Sequence, residues 1–244
     1  MSKRLKFFIK HLTLSLVFSI ILLGLLLNFW YQMPLAKAVG VTSIILILFF
    51  IDITLGPLLG LLVYKEHKKS LKFDLSIIII IQIFALLYGV YTLEQGRPVW
   101  IAYNVDRFEL VRKNELIIEN LDQAKTQFQK TSFLRPQYVA VEFSKDKLQR
   151  ENDMFAEVLG GISIAQKPER YVDFIQAIPQ IKQQAKNVKE LEQYNDQMLV
   201  QQILEKYPEA TGYIPLKANA VDMTVLVNKE TGAVIKIVDL RPWK

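Results

Sequence analysis

The sequence predicts a membrane protein with an N-terminal three-helix transmembrane bundle, residues 1–93, and a C-terminal periplasmic α+β domain with a small antiparallel sheet, residues 94–244. Long apolar runs before residue 93 give way to mixed polar and apolar sequence after it. Charge changes at the same point, because the first part holds 9 Lys and Arg against 3 Asp and Glu, whereas the second holds 21 of each. The whole net charge of +6 therefore belongs to the apolar part.

Three apolar segments are long enough to cross a bilayer, and we place the helices at about 12–29, 38–63 and 75–93. The second helix would be about 39 Å long at ~1.5 Å per residue, which exceeds a hydrocarbon core of ~30 Å. We therefore expect it to tilt or to bend. Pro57, preceded by Gly56, is the expected position of a kink.

Basic residues predict the orientation of these helices. Eight of the nine Lys and Arg lie before the first helix or between the second and third, and only Lys37 lies in the other loop. Because basic loops remain in the cytoplasm, the N-terminus is predicted to be cytoplasmic. Three crossings then place residues 94–244 outside, in the periplasm if the cell has two membranes.

Asp52 is a carboxylate near the middle of the second predicted helix. Such a group is costly at this depth, by about 2.5–3.5 kcal/mol, and normally faces a partner or a wet cavity. One interpretation is a transmembrane contact with another protein, with Gly56 and Gly60 permitting close helix packing. The other is a hydrogen bond within the chain, to one of three polar side chains: Thr42, Thr54 or Gln82.

The junction between the two parts lies in residues 93–111. Gly96 and Pro98 break the arriving helix, and the side chains from Val99 alternate as in a first strand. Trp100 and Tyr103 are amphipathic rings of the kind that settle at a membrane–water interface.

Local patterns predict the elements of the exported part. Helices are predicted at 145–159, 171–186 and 189–207, and a strand or turn followed by a helix at 117–129. Strands are predicted at 138–143, 211–216, 221–228 and 233–239. A hairpin turn that ends at Gly232 should join the last two strands, with this glycine at positive φ.

No residue pattern indicates catalysis or a cofactor. The chain has no cysteine, and His11 and His67 both lie among lysines of the predicted cytoplasmic side. Nucleotide, metalloprotease, hydrolase and calcium motifs do not occur. Membrane topology explains the basic charge, so nucleic acid is not expected as a partner. A small-molecule substrate is not expected either. The sequence thus predicts a binding or assembly protein held in a lipid bilayer, with no enzymatic activity, no cofactor and no metal.

Three stretches resemble the TfpX/TfpZ family of type IV pilin accessory proteins. They are IDITLGPLLGLLVY at 51–64, GRPVWIAYNVDRFELV at 96–111 and VDLRPW at 238–243. The resemblance implies a multi-pass protein of the bacterial inner membrane that assists a cognate major type IV pilin before assembly, as a chaperone or stabiliser. It also implies a shared topology, because a waiting pilin has one apolar helix in the membrane and a globular head outside.

From this resemblance we expect two contacts with the pilin, one through the helices and one through the exported domain. The expected contact residues come from the first two matching stretches: Asp52, Gly56, Pro57, Arg97, Trp100, Asp106 and Arg107. An exposed strand edge is a further candidate for binding the pilin head.

Two other functions stay open at this stage. A membrane-anchored sensor or regulator would bind a small ligand in its periplasmic domain, although the predicted cytoplasmic side has only a short tail and one loop. A membrane enzyme acting on envelope polymers would have to use carboxylates, because the exported part lacks His and Cys.

Overall fold

Three long helices form where the sequence is most apolar. The computed structural model describes all 244 residues and divides into two units, of which the first comprises residues 1–32 and 40–96. Its helices are α1 (Lys3–Phe29), α3 (Thr42–Val63) and α4 (Leu71–Gly96), and each is long and apolar enough to cross a membrane. The short helix α2 (Leu35–Ala38) belongs to the second unit. The three predicted helices are confirmed, although α1 begins well before residue 12.

Helix α3 is the centre of the first unit, because both α1 and α4 pack against it. Gly56, Pro57 and Gly60 are buried at these contacts. A Cβ atom on Gly60 would come within 3.0 Å of the Phe7 ring of α1, and one on Gly56 would overlap the side chain of Gln82 in α4. The two glycines therefore serve close packing within this chain, each against a different neighbour.

The second unit, residues 33–39 and 97–244, is built on one eight-stranded sheet that curls into a half-barrel. Its strands are β1 (Pro98–Asn104), β2 (Arg107–Arg112), β3 (Gln137–Val141), β4 (Tyr171–Val172), β5 (Lys186–Asn187), β6 (Gly212–Lys217), β7 (Met223–Val227) and β8 (Val234–Val238). The order is β4-β3-β1-β2-β6-β7-β8, and β5 also pairs with β6.

This sheet is larger than predicted and is mixed rather than antiparallel. Strand β1 pairs in parallel with β3, and β2 pairs in parallel with β6. The hairpin β1–β2 therefore lies inside the sheet, between strands that are distant in sequence. Local alternation indicates which residues are extended but carries no information about such distant partners, which explains the difference.

Helical segments of the second unit are shorter than predicted. The helices are α5 (Lys147–Gly160), α6 (Ile178–Gln184) and α7 (Gln197–Glu205). The helix predicted within 117–129 is wrong, because two separate 3-10 turns, Leu121–Gln123 and Thr126–Phe128, occupy this segment. Tertiary packing has overridden helix propensity here. Gly161 and Gly232 have positive φ values of 65° and 75°, as their helix-ending and turn positions require.

Aromatic rings fill one core of this unit. Trp100 packs edge-to-face against Phe128 and Tyr171, with ring centroids 6.0 and 5.4 Å apart. Tyr103 is also buried, with its ring against Phe108. The prediction that Trp100 and Tyr103 lie at a membrane–water interface is therefore wrong. Their amphipathic chemistry suits either environment, and strand pairing places them inside the protein.

The segment 33–39 is an integral part of the second unit although it lies between α1 and α3 in sequence. The carbonyl oxygen of Ala38 accepts hydrogen bonds from the backbone N–H groups of Ala220 and Val221, at 2.9 and 3.2 Å. The Lys37 ammonium lies 2.6 Å from Asp239, which also contacts Arg241. The backbone at 220–221 and Asp239 of the closing VDLRPW stretch therefore hold this segment in place.

Replacing Leu35 with alanine should test this attachment. The Leu35 side chain is 5% exposed, so its truncation should lower the free energy of unfolding by about 2 kcal/mol or more. Urea unfolding of the full chain in detergent, followed by tryptophan fluorescence, measures the change. Met33→Ala is the matched control, because Met33 is 66% exposed and its loss should cost under about 0.5 kcal/mol. Equal effects of the two changes would contradict the attachment.

Candidate functional site

Asp52 has few partners in its own chain. The Ser19 hydroxyl donates to Asp52 Oδ2 at 3.3 Å, and Gln82 Nε2 donates to the Asp52 main-chain carbonyl at the same distance. Thr54, a predicted partner, instead donates to the Phe50 carbonyl of its own helix. Of the predicted internal partners, Gln82 contacts Asp52, and it does so through the Asp52 backbone. Ser19 was not predicted as a partner of Asp52. Residue spacing within a helix does not show which residue of another helix lies opposite.

A lateral groove of about 350 Å³ lies between α1 and α4, and Asp52 of α3 is part of its lining. The other lining residues are mostly apolar: Leu14, Phe18, Ile79, Ile83 and Leu86, with His11, Ser15 and Gln82. Apolar walls suit the side chains of a further helix, whereas the carboxylate requires a hydrogen-bond donor. The groove therefore fits an apolar helix that carries one polar or cationic group.

Gly56 and Pro57, both predicted contact residues, lie inside the helical unit and are buried. Gly56 makes room for the Gln82 side chain, which a methyl group would displace. Pro57 lacks the N–H that would bond to the carbonyl four residues earlier. Both residues therefore shape α3 beside Asp52.

Arg97 and Trp100, two other predicted contact residues, are each 2% exposed. Arg97 Nη1 donates to the Ser132 carbonyl at 2.8 Å, and its guanidinium lies 5.9 Å from the centre of the Phe133 ring. Trp100 lies in the aromatic core. The structure thus gives both residues contacts within the second unit.

Asp106 and Arg107, the last predicted contact residues, lie at the turn between β1 and β2. Val105 in this turn has a φ of 56°, which is strained for a β-branched residue. Its carbonyl accepts a hydrogen bond from the Tyr103 hydroxyl at 2.9 Å, which helps to hold the turn. Strained, exposed backbone of this kind is concentrated at functional sites.

Arg107 is the centre of an ionic cluster. Its guanidinium lies 3.3 Å from Glu109, 3.4 Å from Glu157 and 3.7 Å from Asp106. The contact with Glu157 links the turn to α5. A recess of about 220 Å³ opens between the two, next to Phe143.

Asp153 determines which face of α5 turns inward. Its side chain is 3% exposed and lies 2.6 Å from Lys167 Nζ and 2.8 Å from Arg170 Nε. Burial alone would raise the pKa of Asp153, but the hydrogen bonds and charges of Arg170 and Lys167 outweigh it and lower this pKa. The polar face of α5 is therefore the packed face.

The opposite face of α5 is apolar and open. Its large side chains are between 64 and 81% exposed: Leu148, Phe155, Val158 and Leu159. Sequence reasoning missed this surface, although the spacing of these residues is visible, because an apolar stripe on a helix normally indicates a core. The burial of Asp153 on the other face, which the sequence does not show, decides which face packs.

Fold and site together define a class of protein: three helices of membrane-spanning length joined to a mixed α+β domain, with a groove and an apolar face that are both suited to contacts with another protein. No family model and no solved structure matches the chain. Three proteins of Dichelobacter nodosus match the chain in sequence. The fimbrial assembly protein of serogroup I is 30% identical over 178 residues, which cover 72% of this chain and 69% of the relative.

The fimbrial assembly protein of serogroup E1 is 29% identical over the same length and the same shares. That of serogroups C1 and C2 is 33% identical over 116 residues, 47% of this chain and 88% of the relative. The chain belongs to the family of fimbrial assembly proteins.

The buried Asp153 cluster predicts how stability depends on pH. Because its pKa is lowered on folding, its contribution is present above the unfolded pKa of about 3.9 and is lost as the pH falls through the folded-state pKa. Asp153→Asn should cost about 3 kcal/mol at pH 7, since it leaves two cations unpaired. The difference in free energy of unfolding between wild type and Asp153→Asn should stay constant down to about pH 5 and become smaller below about pH 4.

Urea unfolding between pH 7 and pH 2 measures this difference. Asp122→Asn is the control, because Asp122 is exposed on a 3-10 turn and its loss should change stability little at any pH. A gap between wild type and Asp153→Asn that is the same at pH 7 and pH 2 would show that the carboxylate charge is not what holds α5.

Proposed function

We propose that this protein is an inner-membrane accessory protein that binds and stabilises a cognate major type IV pilin and promotes pilus assembly. The observation that carries the proposal is the similarity to fimbrial assembly proteins, which covers most of the chain. The resemblance to TfpX/TfpZ proteins, on the stretches 51–64, 96–111 and 238–243, supports the narrower assignment. In this proposal the protein acts by binding and is not an enzyme.

Features of the sequence support the topology that this role needs. Basic residues favour a cytoplasmic N-terminus, and three helices of spanning length then export the α+β domain. A pilin before assembly has the same polarity, with one apolar helix in the bilayer and its head outside. Both parts of the pilin are then within reach of a matching part of this protein.

The groove lined in part by Asp52 is the proposed site for the pilin helix. Apolar side chains of α1 and α4 form its walls, and the Asp52 carboxylate accepts a long hydrogen bond of 3.3 Å from the Ser19 hydroxyl. A donor on the pilin helix at this depth would satisfy the carboxylate. Since a polar interaction of this kind contributes about 0.6–2 kcal/mol in a membrane, the contact would select a partner without trapping it.

A second contact through the exported domain would make the binding specific. Joining two weak contacts in one chain raises affinity through effective concentration, and losing either one permits release. An assembly protein requires this combination, because the pilin must leave it to enter the pilus.

Asp52→Asn should weaken co-purification of pilin with the full-length protein in detergent. The amide keeps the size of the side chain but removes the charge, so we expect several-fold lower recovery of pilin. Thr54→Val is the matched control, because Thr54 lies on the same helix and bonds to its own backbone. Equal recovery with wild type and Asp52→Asn would remove this residue from the proposal.

Deleting the gene should lower the amount of pilin and the number of surface pili together if the protein stabilises pilin. Immunoblots of whole cells and counts of surface pili measure the two quantities separately. Loss of pili with a normal amount of pilin would indicate delivery to the assembly machinery instead of stabilisation. Unchanged pili would contradict a role in assembly.

A further inference from the structure

The recess between the β1–β2 turn and α5 contains a buried acceptor without a donor. Asn104 lines this recess and is 3% exposed. Its Nδ2 donates to Glu109 Oε1 at 2.9 Å, whereas its Oδ1 has no hydrogen-bond partner. Buried polar atoms without partners are rare in folded proteins. A donor that enters the recess beside Asn104 would satisfy this oxygen.

Charge around the recess indicates what kind of donor fits. Three carboxylates, those of Asp106, Glu109 and Glu157, contact the single guanidinium of Arg107. The cluster therefore has an excess of negative charge, and Asp106 is exposed to solvent at its edge. A protonated amine or a guanidinium is the group that this surplus attracts.

The surface next to the recess is apolar. Glu157 belongs to α5, whose outward face exposes Leu148, Phe155, Val158 and Leu159. Phe143 lines the recess itself. Soluble domains rarely leave such a patch uncovered unless it binds a partner. The acidic recess and the apolar face are joined by the ion pair between Arg107 and Glu157, so one partner can cover both.

We propose that this surface binds the globular head of the pilin, with a lysine or arginine side chain in the recess and an apolar patch around it against the outward face of α5. The cationic group donates to Asn104 Oδ1 and pairs with the Asp106 and Glu157 carboxylates. This inference rests on the proposed function and assigns the exported contact to named residues. A protein is favoured over anionic lipid, because an acidic recess repels phosphate headgroups.

Photo-crosslinking in cells tests the position of the contact. A photoreactive phenylalanine analogue at Phe155 of the full-length protein should form a product with pilin. The same analogue at Ile175, which is similarly exposed but belongs to a different segment, the 3-10 turn Phe174–Ala177, is the matched control and should form at least tenfold less. Cross-linking from position 155 to lipid, to a second copy of this chain or to nothing would overturn the inference.

Charge and apolar variants test the chemistry. Asp106→Lys and Leu159→Asp should each reduce the cross-link from position 155 at least fivefold, whereas Met198→Asp, on the exposed side of α7, should leave it unchanged. Protease resistance of the exported domain shows that each variant is folded. Folded variants that cross-link like wild type would overturn the inference.

Co-purification of pilin with the wild-type protein separates the two proposals. If pilin co-purifies but no cross-link forms at Phe155, the docking surface is wrong and the proposed function stands. If pilin is absent from the wild-type preparation and from the cross-linked products, both are wrong.

Discussion

A carboxylate that is removed from water needs hydrogen-bond donors, and three carboxylates of this chain meet that requirement to different degrees. Asp153 meets it fully, through Lys167 and Arg170. Glu109 meets it through Asn104 and Arg107. Asp52 has one long hydrogen bond from Ser19 in an otherwise apolar groove. A carboxylate whose hydrogen-bonding needs are met within the chain stabilises the fold. One whose needs are met only in part is suited to contact with a partner.

The satisfied carboxylates shape the exposed surface of the α+β domain. Because Asp153 and its two cations occupy the packed side of α5, the apolar residues of this helix have no room inward and remain open. Because Asn104 turns its amide nitrogen to Glu109, its carbonyl oxygen has no donor. The exposed apolar face of α5 and the unpaired Asn104 Oδ1 are thus not accidents of packing. Each follows from an interaction that stabilises the domain itself.

Sequence reasoning found the features that local chemistry determines. Apolar length gave the three long helices, and glycine geometry gave the turn at Gly232. It failed where distant parts of the chain meet. Trp100 was placed at an interface because an amphipathic ring fits there as well as in a core, and only the pairing of β1 with β3 decides between them. Residues 31–37 were predicted as a short loop before a helix at 38–63, since Asp239, the partner of Lys37, is 202 residues away.

The site was predictable only in part for the same reason. A carboxylate inside an apolar run is visible in the sequence, so Asp52 was singled out, but the groove beside it requires the arrangement of α1 and α4 around α3. The α5 surface was missed because amphipathicity gives the direction of the apolar face and not which face packs. Only the ion pairs of Asp153 with residues 14 and 17 positions later fix that choice. Contacts between charged groups, more than hydrophobic pattern, therefore determine which face of α5 packs inward and which face stays exposed.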